Sequence, residues 1–188
     1  MAALSKSVVF VDVQNLYYGM RRVTGDPAAR CDYVALRNVL RSSPDDLFLA
    51  YVVTPVLGAD SEYPHVMKDD AWFIRFLRKS GYQVRRHFAR VYQSRDGDGV
   101  QFDHTSPIRE MVFDSARYTH AFDRVVIVSG SGAMIQIADR ARELGKRVAV
   151  ACFERAKDLN PALKIRADEV IQLEAGLRYV PRKRKVSA

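Results

Sequence analysis

Cysteine is nearly absent. Cys31 and Cys152 are the two in 188 residues, far apart and outside any C-x-x-C pair, which excludes a disulfide framework and a cysteine zinc site and points to a reduced, cytoplasmic compartment. Long apolar runs are also lacking: none approaches the roughly 18 residues of a membrane span. Met1–Ser7 carries neither the basic nor the apolar region of a signal peptide. Neither secretion nor membrane attachment is expected. The four histidines, His65, His87, His104 and His120, fall in no ligand spacing and read as surface or structural residues. Lysine is scarce beside arginine, 8 against 22, in a chain of formal net charge +8. The planar guanidinium grips phosphate in two places at once, so the excess favours a phosphate-bearing partner.

What remains is ample for one domain. A chain of 188 residues with 48% hydrophobic content can bury roughly 70% of its unfolded surface. Apolar runs at 7–12, 47–54, 82–92, 124–129, 147–153 and 169–173 alternate with helical periodicity at about 15–22, 32–42, 62–80, 106–120, 132–144 and 156–164. Such alternation predicts a mostly parallel central sheet of five to six strands with helices on both faces, an α/β three-layer fold. Ser106 and Pro107 signal the start of one helix, with Ile108, Met111, Val112, Ser115 and Ala116 on its buried side, and Gly145 signals the end of another. The run at 82–92 is charged on both faces, as suits an edge strand. The domain is expected over 1–175, with 176–188 as a basic flexible tail, and the segments 54–64 and 94–104 as long loops.

Two strand ends carry the chemistry. Val8-Val9-Phe10-Val11 runs into Asp12-Val13-Gln14-Asn15-Leu16, and Val126-Ile127-Val128 runs into Ser129-Gly130-Ser131-Gly132-Ala133, each at the strand-to-helix junction where open α/β sheets place ligands. Together with Phe113-Asp114-Ser115-Ala116, Glu143-Leu144-Gly145-Lys146-Arg147-Val148 and Ala167-Asp168-Glu169-Val170-Ile171, these pieces, in this order, resemble a NYN domain of the LabA-like group in the PIN-like nuclease superfamily. The resemblance covers roughly residues 7 to 173. It implies a three-layer PIN-like, Rossmannoid fold and clustered carboxylates around Mg²⁺ or Mn²⁺, which activates water against an RNA phosphodiester. Asp12, Asn15 and Asp114 match the catalytic positions, with Asp12 and Asp114 as metal ligands.

The chain departs from the family pattern at the turn after Val128. Ser131 and Ala133 stand where two acids are implied, so the expectation is a reduced, weak or inactive ribonuclease centre with Mg or Mn at low occupancy. Asp96, Asp98 and Asp103 are the acids on the loop that could swing in. Ser129, Gly130, Ser131 and Gly132 instead look suited to an anion, offering hydroxyls and unpaired N–H groups at a helix start. Arg85, Arg86 and Arg90, interleaved with Phe88 and Tyr92, have the composition that tracks a nucleic-acid backbone. Arg182, Lys183, Arg184 and Lys185 add a basic arm or, in a eukaryotic setting, a nuclear import signal. The expected partner is RNA, with room for a protein partner or a homodimer. The alternatives are an active Mg/Mn-dependent endoribonuclease, a dinucleotide-binding unit built on Gly130-Ser131-Gly132 with Glu154, and a non-enzymatic interaction module using Tyr17, Tyr18 or Trp72.

Overall fold

Val8, Val9, Phe10 and Val11 are all fully buried, and side chains alternate across a strand, so both faces of this run are covered. That is the condition of a central parallel strand, and β1 (Ser7–Asp12) is one. The computed structural model describes residues 5–26, 29–56, 64–93, 100–102, 105–154 and 159–175. After β1 come α1 (Val13–Thr24), α2 (Tyr33–Leu40), β2 (Leu47–Val56), α3 (Pro64–Lys79), β3 (Gln83–Gln93) and β4 (Val100–Phe102). They are followed by α4 (Thr105–Tyr118), β5 (Arg124–Val128), α5 (Ile135–Glu143), β6 (Arg147–Cys152), α6 (Pro161–Arg166) and β7 (Glu169–Gln172).

The sheet has the order β4-β3-β2-β1-β5-β6-β7, with six parallel strands and β4 antiparallel to β3. This is the three-layer α/β fold read from the sequence, with β4 as an additional strand. Alternation divides the core in two. Val9, Val11, Phe48, Ala50 and Val52 face α1, α2 and α3, whose Leu16, Met20, Leu36, Leu40 and Leu77 are buried against them. Val8, Phe10, Leu49, Tyr51 and Ile127 face α4, α5 and α6 through Met111, Met134, Ile137 and Leu163. Fully burying a side chain of this kind contributes about 1.5–3 kcal/mol, so both layers are anchored chiefly by β1, β2 and β5.

Helix ends follow local chemistry. Asp12 caps α1 and Asp32 caps α2 through backbone N–H groups of the first turn. Gly145 adopts φ 68 just past α5, a left-handed turn that glycine takes without a Cβ clash. α4 begins at Thr105, one residue ahead of the expected cap at Ser106, and Ala116 on this helix is exposed rather than buried. β3 pairs with β2 along Gln83–Arg90 and meets β4 only at Val91–Gln93. Among the described residues, most of its length is therefore an edge, as its charge implied. None of the described helices is long and apolar enough to cross a membrane.

The chain builds outward from β1 through β2 and β3, then crosses by α4 to β5 on the other side of β1. The reversal of strand order falls between β1 and β5. There α1 leaves toward one face and α5 toward the other, opening a crevice at the strands' carboxyl ends.

Candidate functional site

Asp12 ends β1 and Ser129 follows β5, so both stand at that crevice. A cleft of about 230 Å³ opens there. Asp12, Gln14, Asn15 and Tyr18 line it from the start of α1, Pro107, Ile108 and Met111 from the first turns of α4, and Ser131 from the turn after β5. Its walls are mainly apolar. Among the described residues that line it, Asp12 is the charged one.

The polar groups bind one another. The Asn15 N–H donates to Asp12 Oδ1 at 3.0 Å, and the Ser129 hydroxyl donates to Asp12 Oδ2 at 3.2 Å. Asn15 Oδ1 in turn accepts the Gly130 N–H at 3.1 Å, across 115 positions of sequence. Two side chains at the start of α1 therefore clasp the turn after β5. Within that turn the Ser131 N–H donates to Ser129 Oγ and the Ala133 N–H to Ser131 Oγ, both at 3.3 Å, while the Met134 N–H reaches Ser131 O.

These bonds revise the expectation of unpaired donors at the turn. The N–H groups of Gly130, Ser131, Ala133 and Met134 are satisfied internally, and the turn leads into a three-residue 3₁₀ segment, Gly132–Met134, rather than the first turn of a long helix. Gly132 is required by close approach: a Cβ there would lie 2.6 Å from Asn160 Nδ2. Asn160 is held by its own bonds, its Oδ1 accepting the Ala162 N–H as the cap of α6 and its N–H donating to Gly130 O. The room that a dinucleotide's pyrophosphate would need beside this glycine is thus filled by a side chain of the protein. Glu154, the acid of that reading, is bonded to Gln172.

Asp114 is buried, yet it does not line the cleft. Its Oδ2 accepts the Tyr51 hydroxyl at 2.8 Å and Arg85 Nε at 3.0 Å, and Arg85 also reaches the Tyr118 hydroxyl at 2.9 Å. One turn earlier on α4, Glu110 pairs with His87. A helical turn rises about 5.4 Å and two strand residues about 6.6 Å, so two acids four apart on α4 match two basic residues two apart on β3. The Asp114 hydrogen bond raises the Arg85 guanidinium above its ordinary pKa. Burial first, then the bond to Asp114, pushes the Tyr51 phenol far above its usual value.

Alternation also splits the basic strand. Arg85 and His87 turn toward α4, whereas Arg86 and Phe88 are exposed on the other face, the Arg86 guanidinium 4.6 Å over the Phe88 ring and its Nε bonded to Thr54 Oγ1. Arg90 lies on β3 with its side chain outside the described residues, as are Asp96, Asp98, Asp103 and the tail residues Arg182, Lys183, Arg184 and Lys185. Trp72 is 67% exposed and stacks parallel on Phe76.

The implied metal can be tested against these side chains. Both oxygens of Asp12 accept hydrogen bonds, Asp114 is paired with a guanidinium, and Ser131 and Ala133 add no carboxylate. Among the described residues no three His, Cys, Asp or Glu side chains come together to hold an ion. Hard divalent cations want several oxygen ligands, and these residues alone do not fit a resident one.

Gln14, Pro107, Ile108 and Met111 were not singled out from the sequence as lining a site, and Tyr18 was named only for an interaction surface. The available signal was spacing: positions 14, 15 and 18 share a face of α1, and 107, 108 and 111 a face of α4.

The profile of the NYN domain matches residues 6–174. A protein of unknown function from Vibrio parahaemolyticus has a similar fold, with a TM-score of 0.67 at 23% identity over 95% of this chain and 99% of that one. A pyrazinamidase/nicotinamidase from Streptococcus mutans (TM-score 0.35, 15% identity, 89% and 100% covered) and a nicotinamidase from Staphylococcus aureus (0.34, 10%, 87% and 90%) overlay too loosely to carry an argument. No curated protein matches the chain.

Proposed function

The chain belongs to the NYN domain family, and from that premise we propose that it binds RNA while its metal-dependent ribonuclease centre is reduced to a weak or silent remnant. The observation that carries this reading is the condition of Asp12. It stands where the family's first acid stands, but its oxygens accept the Asn15 N–H and the Ser129 hydroxyl, with Ser131 and Ala133 in place of further acids. Asp12 and Asn15 keep the architecture of a catalytic corner without its full charge. A divalent ion would need substrate phosphate oxygens to complete its ligands, as Mg²⁺ sites held by one or two carboxylates do, which fits low occupancy. Net charge +8 and the exposed Arg86–Phe88 pair support a nucleic-acid partner.

The test uses a labelled single-stranded RNA with the purified chain and Mn²⁺ or Mg²⁺, beside an Asp12→Asn control. Binding without cleavage is the expected result. Cleavage lost in the control would establish an active Mg/Mn-dependent endoribonuclease instead. Absence of both would favour the protein-interaction reading, for which the exposed Trp72 is the supporting feature.

A further inference from the structure

We infer that the outer face of α3 and the open edge of β3 form one platform for single-stranded RNA, with Trp72 and Phe88 as the rings on which bases stack. This deepens the RNA-binding reading and rests on it. The contact falls on elements that do not line the cleft. Three observations carry the inference. The first is the state of the two rings. Trp72 is 67% and Phe88 60% exposed, and each already has one face covered. The Trp72 indole lies parallel on Phe76, centroids 5.7 Å apart at 6°, and Phe76 is partly buried against the core and meets Tyr33 edge-on. The Arg86 guanidinium sits 4.6 Å over Phe88 and is anchored through Nε to the buried Thr54. Each ring is braced on one side and open on the other, so a base that stacks on it continues a stack already begun and orders little else.

The second is where the helix turns its side chains. α3 packs on β2 and β3, with Ile74 and Leu77 buried beneath it and Phe73 and Phe76 leaning on Tyr33 of α2. At about 100° per residue, Trp72 and Lys79 then point outward, and Arg75 and Arg78 fall on the flank away from α2, the flank above the edge of β3. The two elements are also in step. Trp72 lies about 10 Å back along α3 from Lys79, and Arg86 about 10 Å along β3 from Gln83, at the usual rises per residue. Trp72 is therefore level with Arg86, with Phe88 one strand repeat beyond, and a single strand crossing from helix to sheet edge meets both rings.

The third is charge. Neither 72–79 nor Gln83–Gln93 contains an acid, and Asp69 and Asp70 bound the first stretch on its N-terminal side. Arg75, Arg78 and Lys79 are exposed, and no acid among the described residues pairs with them. Trp72, Arg75, Phe76 and Lys79 follow one another at the three- and four-residue spacing of a single helix face, so rings and cations alternate along it. The core of a protein interface is depleted in charge, whereas cations interleaved with open rings are the arrangement that tracks phosphates and stacks bases. Bases of a duplex are already stacked on one another, which restricts the platform to single strands, and every base has a face to stack, which leaves it tolerant of sequence.

The test uses the full chain and takes Trp72, its sole tryptophan, as the reporter. Oligouridine and oligoadenosine RNAs, titrated at fixed salt, should each quench its emission along the isotherm that anisotropy of a labelled strand gives. The duplex formed by annealing the two should leave the emission unchanged. Trp72→Ala and Phe88→Ala should each weaken single-strand binding by about five- to hundredfold, and Trp72→Phe, which keeps a ring, by much less. Ile165→Ala, at an exposed apolar position on α6 in the opposite layer, should leave affinity as it is. Arg75→Gln, Arg78→Gln and Lys79→Gln combined should make the slope of log affinity against log salt shallower by at least about 0.7. Thermal melts establish that each variant is folded. Unchanged affinity in Trp72→Ala or Phe88→Ala, or single-strand binding that leaves Trp72 emission unaltered, overturns the platform while leaving RNA binding in place. No binding of any RNA by the parent chain overturns the RNA-binding reading and the platform with it.

Discussion

Arg85 Nε stands 3.0 Å from Asp114 Oδ2, and that ion pair, 27% and 11% exposed on its two side chains, ties α4 to β3. Asp114 also accepts the Tyr51 hydroxyl, so removing the carboxylate strands two donors at once. Asp114→Ala should cost about 3 kcal/mol by urea denaturation. Arg85→Met combined with Asp114→Leu should cost less than Asp114→Ala alone, because no charge is then left unpaired. A double variant as unstable as the sum of the two single ones would show the pair to be uncoupled.

Gly132 is held open for Asn160, whose Nδ2 would lie 2.6 Å from an added Cβ. Gly132→Ala should therefore destabilise by about 1–3 kcal/mol, the usual cost of overpacking. Adding Asn160→Ser, which shortens the side chain but keeps an N-cap for α6, should restore most of the loss. Thermal melts of the two variants beside the parent chain check this. For the same reason, Gly132 is unsuited to probing ligand binding, since a larger residue disturbs the turn before any ligand arrives.

Three tyrosines report on alkaline stability. Burial is the largest cause raising the phenols of Tyr33, Tyr51 and Tyr82 well above the ordinary tyrosine value of about 10. Above about pH 10 the unfolded chain loses these protons while the folded chain keeps them, so folding stability is intact below that pH and falls as pH rises beyond it. Ultraviolet titration should show these three of the nine tyrosines ionising only together with unfolding. Smooth, independent ionisation of all nine would contradict it.

The basic arm is tested by salt. Deleting 178–188 removes Arg178, Arg182, Lys183, Arg184 and Lys185. If these residues contact RNA, the slope of log affinity against log salt should become shallower by at least about 0.7, the share of one single-strand phosphate. An unchanged slope in anisotropy titrations would remove the tail from the binding surface.

The sheet was legible because buried parallel strands are written as continuous apolar runs, as at Val8–Val11 and Val125–Val128. β4 was not: Val100–Phe102 lies beside a Gly/Asp-rich stretch and gains its identity only by pairing with Val91–Gln93. Asp12 and Asn15 could be placed at the site because both lie at one strand end. Asp114 could not be assigned its partner, since Arg85 is 29 residues away on a strand whose alternation decides which arginine turns inward. The satisfied turn was equally hidden: the acceptor for the Gly130 N–H is a side chain 115 positions earlier. Local pattern reports periodicity and caps, whereas the cleft is made by long-range bonds.

The placement of β1 between β2 and β5 bears on how the chain emerges from a ribosome. At translation rates of roughly 5–20 residues per second, on the order of 10 s separates the synthesis of Asp12 from that of Arg124. Through that interval one side of this buried strand has no hydrogen-bonding neighbour, and the Asn15–Gly130 clasp cannot close. The nascent chain therefore carries an exposed, adhesive strand until Arg124–Val128 has been made, which makes this interval the stage at which chaperone protection would matter most.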